Sequence, residues 1–90
     1  MTSSDLTTGG RVTLFGTSTC LDCRRSRALL DSLGVDYDDI DIELSPESAD
    51  RALAMTGRTS TPVILFPDGT HQVEPSDAEL RSKLEALSII

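Results

Sequence analysis

Thr19-Cys20-Leu21-Asp22-Cys23-Arg24 holds both cysteines of the chain. An apolar run, Val12-Thr13-Leu14-Phe15, comes just before it. After it, Leu29, Leu30 and Leu33 recur at helical spacing. The pair therefore falls where a strand turns into a helix. A helix N-terminus carries unpaired N–H groups and the positive end of the helix dipole. Both stabilise a thiolate, the attacking species in disulfide exchange. At such a junction C-x-x-C reads as a redox-active dithiol.

Two other uses of a cysteine pair are weaker. Half of a zinc site would need a second half, but there is no further cysteine and His71 is the only histidine. A structural disulfide across so short a loop would remove little chain entropy.

The 90 residues fit one small domain, expected over 11–90 behind a polar tail at 1–10. A hydrophobic fraction of 38% is enough for a single core. The net charge of -7 argues against nucleic acid, whose phosphates need cations. No apolar stretch approaches the roughly 20 residues of a membrane span. Residues 1–10 lack the basic start and apolar core of a secretory signal. The expectation is a cytoplasmic monomer, in a compartment where disulfides tend to be transient and catalytic.

In chain order, 11–15 is the first strand, apolar enough to be buried on both faces. Gly16 allows close backbone approach, and the hydroxyls of Thr17, Ser18 and Thr19 are potential helix caps. The first helix is expected over 21–33, ended by Gly34. The stretch 36–42 alternates as a strand, and its acids suit an edge defended by charge against pairing with other chains. Ser45 and Pro46 open a second helix, closed by Gly57. The run 63–66 is a strand, and Asp68-Gly69 turns it into a short return strand at 71–73. Ser76-Asp77-Ala78-Glu79 has the spacing of a capping box and starts a last helix striped by Leu80, Leu84 and Leu87. The order β-α-β-α-β-β-α implies an α/β fold: a four-stranded mixed sheet with helices on both faces, its first two strands parallel. His71 reads as a hairpin surface residue, Met55 as core, and Tyr37 as half buried.

Together these features resemble the glutaredoxin branch of the thioredoxin superfamily. The resemblance is carried by Val12-Thr13-Leu14-Phe15, Ser18-Thr19-Cys20-x-x-Cys23, Tyr37 with the acids after it, and Thr61-Pro62. Phe66-Pro67-Asp68-Gly69-Thr70 and Pro75-Ser76-Asp77-Ala78-Glu79-Leu80 are similar to the mycoredoxin type, actinobacterial members that work with mycothiol. The resemblance implies a thioredoxin-like fold, a cis Pro62 facing the cysteines, Cys20 as nucleophile and Cys23 as resolving thiol. It further implies substrate contacts from Thr19, Leu21, Arg24, Thr61, Pro62, Ser76 and Asp77. It implies no bound cofactor, and mycothiol or another small thiol as co-substrate. The sequence departs from the family in three ways. Leu21-Asp22 stands between the cysteines in place of Gly-Tyr or Pro-Tyr. No aromatic residue precedes Cys20. Glu74-Pro75 replaces a Gly-Gly frequent in glutathione-binding members.

The expected function is thiol–disulfide exchange on mixed disulfides between proteins and a small thiol. The same pair could serve as a dithiol electron donor to ribonucleotide reductase or a peroxidase. A third use is an iron–sulfur cluster held between two protomers. Arg24, Arg25 and Arg27 oppose the helix dipole unless they serve the site, by lowering a thiolate pKa or attracting an anionic partner. As a neighbouring carboxylate, Asp22 disfavours a thiolate.

Overall fold

The computed structural model describes residues 11–90, so the tail expected at 1–10 lies outside the described residues. Strand β1 (Val12–Gly16) leads to helix α1 (Leu21–Ser32) and strand β2 (Tyr37–Asp41). Helix α2 (Pro46–Thr56), the hairpin of β3 (Val63–Leu65) and β4 (His71–Val73), and helix α3 (Asp77–Ala86) follow. The sheet order is β2-β1-β3-β4. β1 and β2 are parallel, while β1–β3 and β3–β4 are antiparallel. The thioredoxin-like element order and mixed sheet follow the sequence reading. Strand ends differ by a residue, since β1 starts at Val12 and runs on through Gly16.

β1 is a central strand with helices on both faces, and this explains its continuous apolar run. Val12 and Leu14 join Ile64, Phe66, Leu30, Leu80 and Leu84 in a core under α1 and α3. Phe15 points to the opposite face, with Val63 and Ala52 and with Ile40, Ile42 and Met55 packed around them. The period of two along β1 and β3 thus feeds two cores. Leu14, Phe15, Ile64, Leu80 and Leu84 are fully buried, each stabilising the fold by roughly 1.5–3 kcal/mol.

β2 is an edge strand, as its acids imply. Two of those acids are also held by arginines: Arg11 lies 3.1 Å from Asp38, and Arg27 2.9 Å from Asp39. Tyr37 is half buried and donates to Asp31 at 3.2 Å. His71 is exposed.

The helix ends show both agreement and correction. Gly57 closes α2 in the left-handed conformation, with φ 71°. Ser76 and Glu79 form the reciprocal capping box of α3. Ser45 precedes α2, but its hydroxyl donates to the Glu47 carboxylate and accepts from the Ser48 hydroxyl rather than capping a backbone N–H. α1 is capped by none of the loop hydroxyls; Cys20 itself takes that position.

The strand directions gather one end of the sheet. The C-terminal ends of β1 and β2, the start of β3 and the end of β4 all lie there, through the pairs Gly16–Asp41, Phe15–Val63 and Val63–Val73. Gly16 sits at this end beneath Cys23. A Cβ at Gly16 would lie 2.7 Å from the Cys23 sulfur. Gly16→Ala is therefore expected to cost about 1–3 kcal/mol through overpacking, read as a lower urea midpoint. An unchanged midpoint would contradict the contact. The opposite result is expected at Ser26, which is buried in α1 with an unpartnered hydroxyl. Ser26→Ala should be neutral or stabilising by up to about 1 kcal/mol. A clear loss of stability would show that the hydroxyl is engaged.

Candidate active site

Cys20 and Cys23 are both free thiols, Cys20 partly exposed and Cys23 buried. Cys20 is the N-cap of α1, with φ -82° and ψ 119°, and its sulfur accepts the Cys23 backbone N–H at 3.1 Å. A cap normally offers an oxygen to this orphan donor. Here a sulfur fills that role, so the helix N-terminus acts directly on the thiol. C-x-x-C spacing produces this contact, because a cap side chain reaches the amide two or three residues on.

The cis Thr61–Pro62 bond lies opposite. The Thr61 hydroxyl donates to the Cys20 sulfur at 3.5 Å, and the Cys20 thiol can donate to the Thr61 carbonyl at 3.7 Å. Pro62 is buried.

Burial raises the Cys20 pKa, but hydrogen bonds outweigh it. The Cys23 thiol, the Thr61 hydroxyl and the amides of Cys23 and Asp22 donate to the sulfur, and the net shift is downward. For Cys23, burial and its own hydrogen bond to Cys20 push the pKa up. The two thiols are thus pushed apart: Cys20 is the better thiolate at the mouth, and Cys23 keeps its proton behind it. The Asp22 amide is among the donors to Cys20, and the Asp22 carboxylate pairs with Arg25 at 3.2 Å.

Around this centre Leu21 is 75% exposed, an apolar side chain standing free between the cysteines. Thr19 is exposed in the loop. The Arg24 side chain donates to the Ser18 carbonyl at 3.3 Å, on the loop side. Arg25 reaches the other way, to the Pro75 carbonyl at 3.2 Å and Asp77 at 3.6 Å. Arg27 ties α1 to Asp39 of β2 and to the Thr17 carbonyl at 3.2 Å. Two of the three arginines thus brace the site against β2 and α3, a use the sequence did not disclose. The Asp22–Arg25 spacing of i,i+3 was visible, whereas the contacts with Pro75 and Asp77 are long-range.

The entrance to α3 is closed by its own groups. Glu74 is non-glycine yet has φ 50°, and its N–H donates to the Pro62 carbonyl at 2.9 Å. Its carboxylate lies 3.7 Å from Arg58. Pro75 has no N–H. The Ser76 N–H donates to the Glu79 carboxylate at 2.8 Å, and the Ser76 hydroxyl accepts from the Glu79 N–H at 3.1 Å. Among the described residues no group of three or more His, Cys, Asp or Glu side chains is placed to hold a metal.

A dithiol at the capped start of a helix, faced by a cis-proline on a mixed sheet, defines a thiol–disulfide oxidoreductase of thioredoxin-like fold. The sequence pattern of the glutaredoxin family matches residues 12–72. The chain is 35% identical to mycoredoxin 1 of Corynebacterium glutamicum over 78 residues, 86% of this chain and 96% of that protein. It is 32% identical over 74 residues to a protein of Mycobacterium tuberculosis named as a glutaredoxin, covering 81% of this chain and 88% of that one. A glutaredoxin structure from Archaeoglobus fulgidus superposes with a TM-score of 0.73 at 26% identity, over 82% of this chain and 85% of the other. The chain belongs to the glutaredoxin family.

The polarised thiols make a pH test direct. The rate of Cys20 alkylation should rise with pH to a midpoint below that of an ordinary thiol. Thr61→Val and Cys23→Ala each remove a donor, so each should move that midpoint upward. A midpoint unmoved in both variants would mean that the hydrogen bonds do not set the thiolate.

Proposed function

We propose that the protein reduces mixed disulfides between proteins and a low-molecular-weight thiol, and that mycothiol is that thiol. The observation that carries the reaction is the unequal pair: a partly exposed, helix-capping Cys20 in front of a buried Cys23 whose pKa burial pushes up. The Cys20 thiolate attacks the small-thiol sulfur of the mixed disulfide. A Cys20–S–S–mycothiol bond forms, and the protein thiolate leaves and takes a proton from water. A second mycothiol thiolate then attacks that bond, releasing the Cys20 thiolate and a mycothiol disulfide, so the two electrons come from mycothiol. On a direct protein disulfide, Cys23 instead displaces the bound protein thiol and closes a Cys20–Cys23 disulfide.

Thr61 and Pro62 form one wall beside the attacked sulfur, where the Thr61 backbone pairs strand-like with substrate. Leu21 and Thr19 meet the bound partner at the mouth, and Arg24 borders it. Ser76 and Asp77 border it on the α3 side. Residues 11–90 act as one domain, as a cytoplasmic monomer with no nucleic-acid partner.

The choice of mycothiol draws support from the α3 entrance. Glutathione is anionic, and backbone N–H groups are natural partners for carboxylates. At Glu74, Pro75 and Ser76 these donors are spent or missing, and Glu74 adds a carboxylate of its own. Mycothiol, an N-acetylated cysteine amide-linked to an aminosugar–inositol body, has no carboxylate to be repelled. The similarity to mycoredoxin 1 points the same way.

Cys23→Ser should keep activity on mycothiol mixed disulfides and lose it on direct protein disulfides, whereas Cys20→Ser should lose both. Turnover with glutathione equal to that with mycothiol would overturn the choice of thiol. A Cys23→Ser variant dead on both substrate types would favour the dithiol electron donor.

A further inference from the structure

Arg25 touches both the dipeptide between the cysteines and the start of α3. It lies 3.2 Å from Asp22, 3.6 Å from Asp77 and 3.2 Å from the Pro75 carbonyl. All three side chains are about half exposed, so the bridge adds little to stability. Its effect on a bound molecule is larger. Asp22 stands two residues from the sulfur that would carry a small thiol, and Arg25 links it to the start of α3. An unpaired arginine there would attract a carboxylate on that thiol. Two carboxylates on one guanidinium leave the cluster with a net negative charge, on a chain whose total is already -7. Arg24 bonds to the Ser18 carbonyl on the loop side, and Arg58 is paired with Glu74.

We propose that Asp22, acting through Arg25, determines specificity: it saturates the arginine at the Cys20 mouth, so that the site disfavours thiols with a free carboxylate and accepts those with an uncharged body. The inference rests on the reading of Cys20 as the sulfur that carries the small thiol. Asp22 is a positioning residue here, since it sets the charge that the thiol meets without taking part in the exchange.

The test uses two disulfides that differ only in charge, those of N-acetylcysteine and of N-acetylcysteine amide. For each protein the readout is the ratio of kcat/KM for the acid over that for the amide, which cancels changes in Cys20 reactivity common to both. The wild-type ratio should lie below one and rise towards one at about 1 M salt, where screening acts within roughly 3 Å. Asp22→Asn should raise the ratio about two- to sixfold, the effect of one charge at the separation of a neighbouring side chain. Asp22→Glu should keep the wild-type value. Arg25→Gln breaks the same bridge but leaves the carboxylates uncompensated, so it should lower the ratio. A bridge that was merely structural would move Asp22→Asn and Arg25→Gln in the same direction, and that result would overturn the inference. So would a ratio that neither variant nor salt changes, even with mycothiol confirmed as co-substrate. A preference for glutathione over mycothiol alongside opposite shifts in the two variants would reject mycothiol and leave the role of Asp22 standing.

Discussion

The hydrogen bond from the Cys23 amide to the Cys20 sulfur joins the fold to its chemistry. It caps α1 and stabilises a thiolate at once, and a cap built from a hydroxyl could do only the first. The rest of the site is arranged around keeping that sulfur at the helix mouth. β1 delivers the chain to the N-terminus of α1, and the start of β3 brings Thr61 to the other side of the sulfur. Because β1 is central and buried on both faces, the loop that carries Cys20 springs from the most firmly packed strand of the sheet.

The second thiol is defined by what lies beneath it. Gly16 leaves no room for a Cβ under Cys23, and the closeness of that packing keeps the Cys23 sulfur from water. Desolvation penalises its thiolate, so Cys23 keeps the proton that it donates to Cys20. The difference between two chemically identical side chains thus arises from position alone: one is a cap, the other is buried three residues later.

Charge forms the next layer. The acids of β2 read as protection for an edge strand, yet Asp38 and Asp39 are also anchor points for Arg11 and Arg27. Arg27 extends that anchor to the loop before Cys20 through the Thr17 carbonyl, and Arg25 extends a similar one to α3. Cations at a helix N-terminus oppose its dipole. Here Arg25 is offset by Asp22 and Asp77 and Arg27 by Asp39, whereas Arg24 meets the neutral Ser18 carbonyl on the loop side.

The amino-acid sequence by itself determined the element order, the parallel β1–β2 pair, the capping box at Ser76, the acidic edge and the C-x-x-C junction. Each depends on local periodicity, on turn chemistry or on residues a few positions apart, and such information survives in one dimension. Gly16 was legible as a point of close approach, but not as the floor of Cys23. The Thr61–Pro62 arrangement came from family resemblance rather than from spacing. Only the tertiary structure decided that Cys20, not Ser18 or Thr19, caps α1, since the cap depends on the backbone angles where the loop meets the helix. The tertiary structure also decided what the arginines do. Arg25 meets Pro75 and Asp77 some fifty residues away, and Arg27 meets Asp39 across the sheet edge. No periodicity encodes such contacts, because they exist only once α1, β2 and the start of α3 are folded against one another.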